Sequence, residues 1–237
     1  LFSAWMANFG FGRPTGIDLP GEASGVLPSR EWKRAKLEQP FYPGETVIAG
    51  IGQGYWVITP IQLASALATL SEGGVRHVPH LLRAMQAGLN APRVPVPQAK
   101  SAPSFVRNPA DWDAVRLGMI DVVNDPSGTA HGLGEGFPYV IAGKTGTAER
   151  FSRTTEEWTS INDSPIERHR VLFEAFAPAD DARIAIAVAL EAGRSGAHDA
   201  APIARKILDA WLPGDEEREA RRGNDATVAA VPSAEAR

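Results

Sequence analysis

Residues 140–150 read VIAGKTGTAER. A Gly-Lys-Thr run occurs in phosphate-binding loops and a Lys-Thr-Gly run on strands that line a cleft, and the two demand different neighbours. A phosphate loop needs glycine five positions before Gly143, a strand ahead of it and an apolar helix after it, so that N–H groups at the helix start can cradle phosphate. Here that position is Pro138, and the residues that follow, TGTAERFSRTTEE, carry no apolar helical stripe. An edge strand fits better: Gly146 has no side chain, so the backbone of an extended peptide can approach and pair with the strand.

The surrounding pattern has period two. YVIAGKTGTAE, RVLFEAFAP and RIAIAVALE read as three strands, the last two joined by PADDA, short enough for an antiparallel hairpin. DAAPIARKILDAWLPG then predicts an amphipathic helix with Asp199 as N-cap, Ile203, Ile207 and Trp211 on one face, and Pro213 and Gly214 as the stop. Strands followed by a covering helix imply an α+β fold, an antiparallel sheet packed with helices.

Upstream, residues 11–56 are rich in Gly and Pro and predict ordered loops and short elements. The opening LFSAWMANFGFG looks like the later turns of a helix, and the chain is expected to be a piece whose upstream part is missing. In TPIQLASALATLSEGG, Thr59 and Gln62 form a capping box, Pro60 occupies the first turn, Gly73 and Gly74 stop the helix, and Ile61, Ala64, Leu67 and Ala68 share a face. Residues 86–104 read as a polar, Pro-rich connector, and Asn108-Pro109 opens a helix with Trp112, Val115, Met119 and Val122 on one side. Residues 1–213 are read as one domain portion, with 214–237 as a disordered tail. The connection 151–169 reads as either a lid or disorder.

Composition narrows the function. The chain has 237 residues, 43% hydrophobic and 22% charged, with a formal net charge of -4. That gives no basic footprint for nucleic acid. The absence of cysteine removes thiol catalysis, thiolate zinc sites and disulfides together. His77 and His80 have an H-x-x-H spacing, but Pro79 intervenes and no carboxylate stands nearby, so a turn pair is expected rather than a metal site. His131 either lines the cleft or makes a loop hydrogen bond. Tyr55 and Trp56, directly before a buried helix, read as core anchors ahead of a substrate groove.

KTGTAE, FEAFAP, RIAIAVALE and AAPIARKIL, preceded by GIGQGYWVITPIQLASALATLSEGG and TGIDLPGEASGVLPSREWK, resemble in matching order the transpeptidase domain of class B penicillin-binding proteins, in particular its cell-elongation branch. The resemblance runs over about residues 1–213. It implies the penicillin-binding protein/serine β-lactamase-like fold, present here in part, and peptidoglycan D,D-transpeptidation through an acyl-serine. No metal or organic cofactor is implied. Peptidoglycan stem peptides and β-lactams are the implied ligands. A SEDS-type glycosyltransferase and the rod-complex scaffold are the implied partners. The parent protein would sit in the bacterial inner membrane, its catalytic domain in the periplasm.

By the same resemblance Lys144 supplies positive charge near the serine of the family's middle motif and the substrate carboxylate, Thr145 and Thr147 offer hydroxyls to that carboxylate, the Thr147 N–H is an oxyanion donor, and Gly146 keeps the strand approachable. The family's other two motifs are not found. No serine is followed by lysine three positions on, since Ser29 has Lys33 four on, and the S-x-N at 160–162 follows Lys144 instead of preceding it. The chain alone is therefore expected to be inactive and poorly soluble. A penicillin-sensing receptor domain and a non-catalytic remnant stand as alternatives.

Overall fold

The computed structural model describes residues 2–148 and 169–212. Its centre is an antiparallel sheet in the order β3-β4-β5, made of β3 (Ala142–Ala148), β4 (His169–Ala177) and β5 (Ile184–Gly193). These match the three expected strands, and β4 and β5 form the expected hairpin. The acid-free tracts of β4 point both ways. Val171, Phe173, Ala175 and Ala177 are buried on one face, and Phe176 is buried on the other.

Each face is covered by a helix. α6 (Ala201–Trp211) lies on the first, where Ala200, Ala201, Ala204 and Leu208 meet Phe173, Ala175, Ile186 and Val188. Ile203 and Ile207, expected to face inward, are 39% and 42% exposed. The helix instead turns Ala201, Ala204 and Leu208 to the sheet. Asp199 does not cap it. A π turn (Gly196–Ala200) precedes α6, Ser195 caps that turn through His198 N at 3.1 Å, and Asp199 reaches back to the N–H groups of Arg194 and Ser195. Pro213, Gly214 and the tail lie outside the described residues, as do residues 151–168 of the connection 151–169.

The second face receives α4 (Pro60–Ser71). Its capping box is present in both directions, Gln62 N to Thr59 Oγ1 at 3.2 Å and Thr59 N to Gln62 Oε1 at 3.0 Å. Of the expected face only Leu67 is fully buried; Gln62, Ala66 and Thr69 join it, because the helix has protein on several sides. Gln62 also donates to the carbonyls of Arg13 and Ser24 at 2.7 and 2.8 Å, tying the N-terminal loops to the helix.

α5 (Pro109–Asn124) starts as expected, with the Asn108 side chain accepting from Ala110 N, and packs along β3. Its buried line runs through Met119 and Val123, while Val115 is 51% exposed. Beside that line the Arg116 guanidinium donates to the Ala179 carbonyl at 3.3 Å.

The N-terminal part consists of α1 (Phe2–Met6), a 3-10 turn (Ala7–Phe9), α2 (Arg30–Leu37) and α3 (Pro43–Gly50), joined by loops. Aromatic edges hold it: Phe9 stacks on Trp112, and Trp56 meets Phe2 and Phe11 edge-on. Trp56 is thus a core anchor. β2 (Arg93–Pro95), inside the expected connector 86–104, pairs with β1 (Ala84–Gln86) at its start in an exposed antiparallel ribbon. No helix among the described residues is long and apolar enough to cross a membrane.

Candidate active site

β3 carries Lys144, Thr145, Gly146 and Thr147 at one edge of the described sheet. Its position is fixed by glycine. A Cβ on Gly143 would stand 2.8 Å from Phe173 Cζ and 3.0 Å from Val123 Cγ2, so only a bare backbone lets the strand seat between α5 and β4. A Cβ on Gly196 would fall 2.1 Å from the Leu172 carbonyl and 3.0 Å from that of Gly146. The π turn before α6 therefore presses directly on the backbone of the Lys-Thr-Gly segment.

Register alternation separates the side chains. Lys144 and Gly146 pair with Glu174 and Leu172, and Thr145 and Thr147 pair with Phe173 and Val171, on opposite faces. Thr145 Oγ1 meets Thr129 Oγ1 at 3.0 Å, on a loop pinned by Arg205, which donates to the carbonyls of Leu133 and Glu135 and stacks over Phe137. Lys144 is exposed and its Nζ turns along the edge to the Thr145 carbonyl at 2.6 Å.

The Thr147 carbonyl accepts from Gln53 Nε2 at 2.8 Å, across 94 residues of sequence. In an antiparallel strand a residue's N–H and C=O point to the same side, alternating along the chain. Thr145 and Thr147 thus direct their backbone groups away from β4, and both outward carbonyls are held by side chains from within the molecule.

Two acids shape the local field. The Glu174 carboxyl, half-buried opposite Lys144, has no hydrogen-bond partner among the described residues; loss of solvation pushes its pKa up to about 7, against the opposing pull of Lys144. Asp199 behaves in the opposite way: the hydrogen bond from His198, then those from the Arg194 and Ser195 N–H groups, hold it down at about 2. Farther out, Lys33 is buried and bonds Glu45 Oε1 at 2.5 Å, an oxygen that also accepts from Tyr55 Oη at 2.9 Å. Burial pulls the Lys33 pKa down, but the hydrogen bonds its ammonium donates to Glu45 and Tyr55 outweigh it and leave it raised.

Sequence reasoning named the four β3 residues, and the structure brings them together on one edge. It missed Gln53, Thr129 and Glu174. Glu174 had a signal, a lone acid inside the apolar run VLFEAFA, and Gln53 had one in its flanking glycines. Ser29 and Lys33 are accounted for otherwise: Ser29 caps α2 through Trp32 N at 3.0 Å, and Lys33 is spent on Glu45. A groove of about 770 Å³ lined by Phe2, Trp5, Pro28, Ser29 and Phe41 contains no β3 residue. His77 Nδ1 meets Ser101 Oγ at 2.7 Å, and the backbone N–H of His131 donates to the Gly128 carbonyl at 3.0 Å.

Comparison with known proteins places these features. Residues 1–209 match the penicillin binding protein transpeptidase domain. The chain is 39% identical over 229 residues to peptidoglycan D,D-transpeptidase MrdA of Escherichia coli, covering 96% of this chain and 36% of that protein. Among solved structures it is similar to Pseudomonas aeruginosa PBP2 in complex with WCK 5153, with a TM-score of 0.74 and 42% identity over 89% of this chain and 43% of that one. PBP2 of Helicobacter pylori in its complex with MreC gives a TM-score of 0.72 at 25% identity, over 90% of this chain and 36% of that one. The chain thus spans about a third of the length of the curated relatives it matches.

Proposed function

Since the chain belongs to the penicillin-binding protein transpeptidase family, we propose that it forms the C-terminal part of a peptidoglycan D,D-transpeptidase of the penicillin-binding protein 2 kind. The observation that carries this is the β3 edge, where an exposed lysine stands beside two threonines whose backbone groups face outward.

On this reading a serine supplied from outside the chain attacks the carbonyl of the penultimate D-alanine of a stem peptide. The C–N bond breaks, the terminal D-alanine leaves with the proton, and an ester remains; the amine of a neighbouring stem then attacks the ester and regenerates the serine. Lys144 places its positive charge near the serine of the family's middle motif and near the substrate carboxylate, helping proton transfer and guiding the substrate. Thr145 and Thr147 offer hydroxyls to that carboxylate. The Thr147 N–H donates to the oxyanion, a contact worth about 10² to 10³ in rate, and Gly146 leaves room for the peptide backbone. Acyl transfer through a serine ester needs no metal or organic cofactor.

The partners proposed are a SEDS-type glycosyltransferase and the rod-complex scaffold, a reading supported by the Helicobacter pylori relative's complex with MreC. The parent protein would be anchored in the inner membrane with this domain in the periplasm.

The test is covalent labelling of the full-length protein with a fluorescent penicillin, followed by mass spectrometry of the adduct. Labelling at a serine outside this chain, abolished by Lys144→Ala in a variant with an unchanged melting temperature, is the expected result. A protein that melts cooperatively and takes no label would overturn the proposal.

A further inference from the structure

Gln53 sits on a loop that is built to hold it still. α3 ends in a Schellman motif: Gly52 adopts φ 76, its N–H donates to the Ala49 carbonyl at 3.1 Å, and the Gln53 N–H donates to the Ile48 carbonyl at 3.1 Å. Gly54 follows at φ 79. The loop is then fastened back onto α3 by Tyr55 on Glu45 and by Trp56 Nε1 on the Ala49 carbonyl at 2.9 Å. Glu45 itself is locked by Lys33. The backbone at Gln53 is therefore fixed on both sides, and its carboxamide, half-exposed, is the part free to rotate.

That carboxamide donates to the Thr147 carbonyl at 2.8 Å, along the outward direction in which a pairing strand would approach. Extended ligands add to a sheet edge through main-chain N–H and C=O groups, so an amide N–H arriving here would need the same acceptor. A primary amide is the side-chain group closest in chemistry to a peptide N–H. An exposed edge with unmet carbonyls also invites pairing with other chains, and covering the acceptor removes the invitation.

Building on the proposed transpeptidase reading, we propose that Gln53 is an internal stand-in for the ligand backbone: its side-chain amide occupies the Thr147 carbonyl at rest and must rotate away before a ligand amide pairs with β3. Gln53 is a gating residue acting through β3, outside the reacting atoms.

The test uses the full-length protein and two acylating β-lactams, a penicillin whose side chain carries an amide N–H and a carbapenem with a hydroxyethyl group in that place. Gln53→Ala and Gln53→Glu both remove the competing donor. Second-order acylation by the penicillin is expected to rise about fivefold in both variants, the effect of one hydrogen bond of ordinary net strength, with the carbapenem rate unchanged. Melting temperatures should stay at the wild-type value. Penicillin rates that are unchanged or lower, or a rise shared equally by the carbapenem, would refute the gate. Failure of wild-type protein to be acylated by either compound would instead sink the transpeptidase reading, and this inference with it.

Discussion

Glu174→Gln should stabilise the protein, and by an amount that depends on pH. The Glu174 carboxyl lies half-buried opposite Lys144 without a hydrogen-bond partner among the described residues, and its pKa stands at about 7 against an ordinary 4.5. Raising a carboxyl pKa on folding means that the folded state binds the proton more tightly than the unfolded state. Below pH 4.5 both states are protonated and the glutamic acid behaves like the isosteric amide. As pH rises towards 7 the unfolded chain ionises first, and stability is lost at about 1.36 kcal/mol per pH unit. The accumulated penalty above pH 7 is roughly 3 kcal/mol. Urea unfolding of wild type and Glu174→Gln at pH 4.5 and pH 8 measures it directly. The two curves should coincide at the lower pH and separate, with the variant more stable, at the higher one. Removing Lys144, whose charge opposes the shift, should widen the gap. A pH-independent difference, or a wild type that gains on the variant as pH rises, would refute the desolvation argument.

Two further outcomes follow from the same region. Gly196→Ala drives a methyl into the Leu172 carbonyl, so the π turn must lift from β3 and β4; a loss of about 1–3 kcal/mol is expected by urea denaturation, with reduced penicillin labelling. Asp199→Asn removes a carboxylate held at about 2, below its ordinary 3.8, by His198 and two backbone N–H groups. The stability that this depressed pKa confers is present above pH 3.8 and lost as pH falls through 2, so the variant should trail wild type at pH 6 and match it near pH 2.

What was legible in the sequence was local. The Thr59–Gln62 capping box and the Asn108-Pro109 start are set by residues a few positions apart, and both helices begin where those residues say. The three strands show in their alternation. Helix faces were less legible, because hydrophobicity ranks Ile203 above Ala204, while the line that meets the sheet runs through Ala201, Ala204 and Leu208. The β1–β2 ribbon was hidden because Met85 and Val94 are 59% and 60% exposed, so no buried face imposes alternation. Lys144 to Thr147 were found as a contiguous motif. Gln53 needed a contact over 94 residues, which no local pattern encodes.

β4, covered by helices on both sides, has one more consequence. Strands with one wet face are aligned by their polar residues, since sliding by one position would turn the apolar set outward. β4 offers less such guidance, because both of its faces hold buried apolar residues, Val171 and Phe173 on one and Phe176 on the other, and Glu174 is its single acid. Its alignment with β3 rests on steric keys: the bare backbone of Gly143 beneath Phe173, and that of Gly196 against the Leu172 carbonyl. A methyl at either key would leave hydrophobic burial nearly intact while loosening the choice among alternative alignments, so the strand that presents Lys144 would be threatened by mispairing well before it was threatened by unfolding.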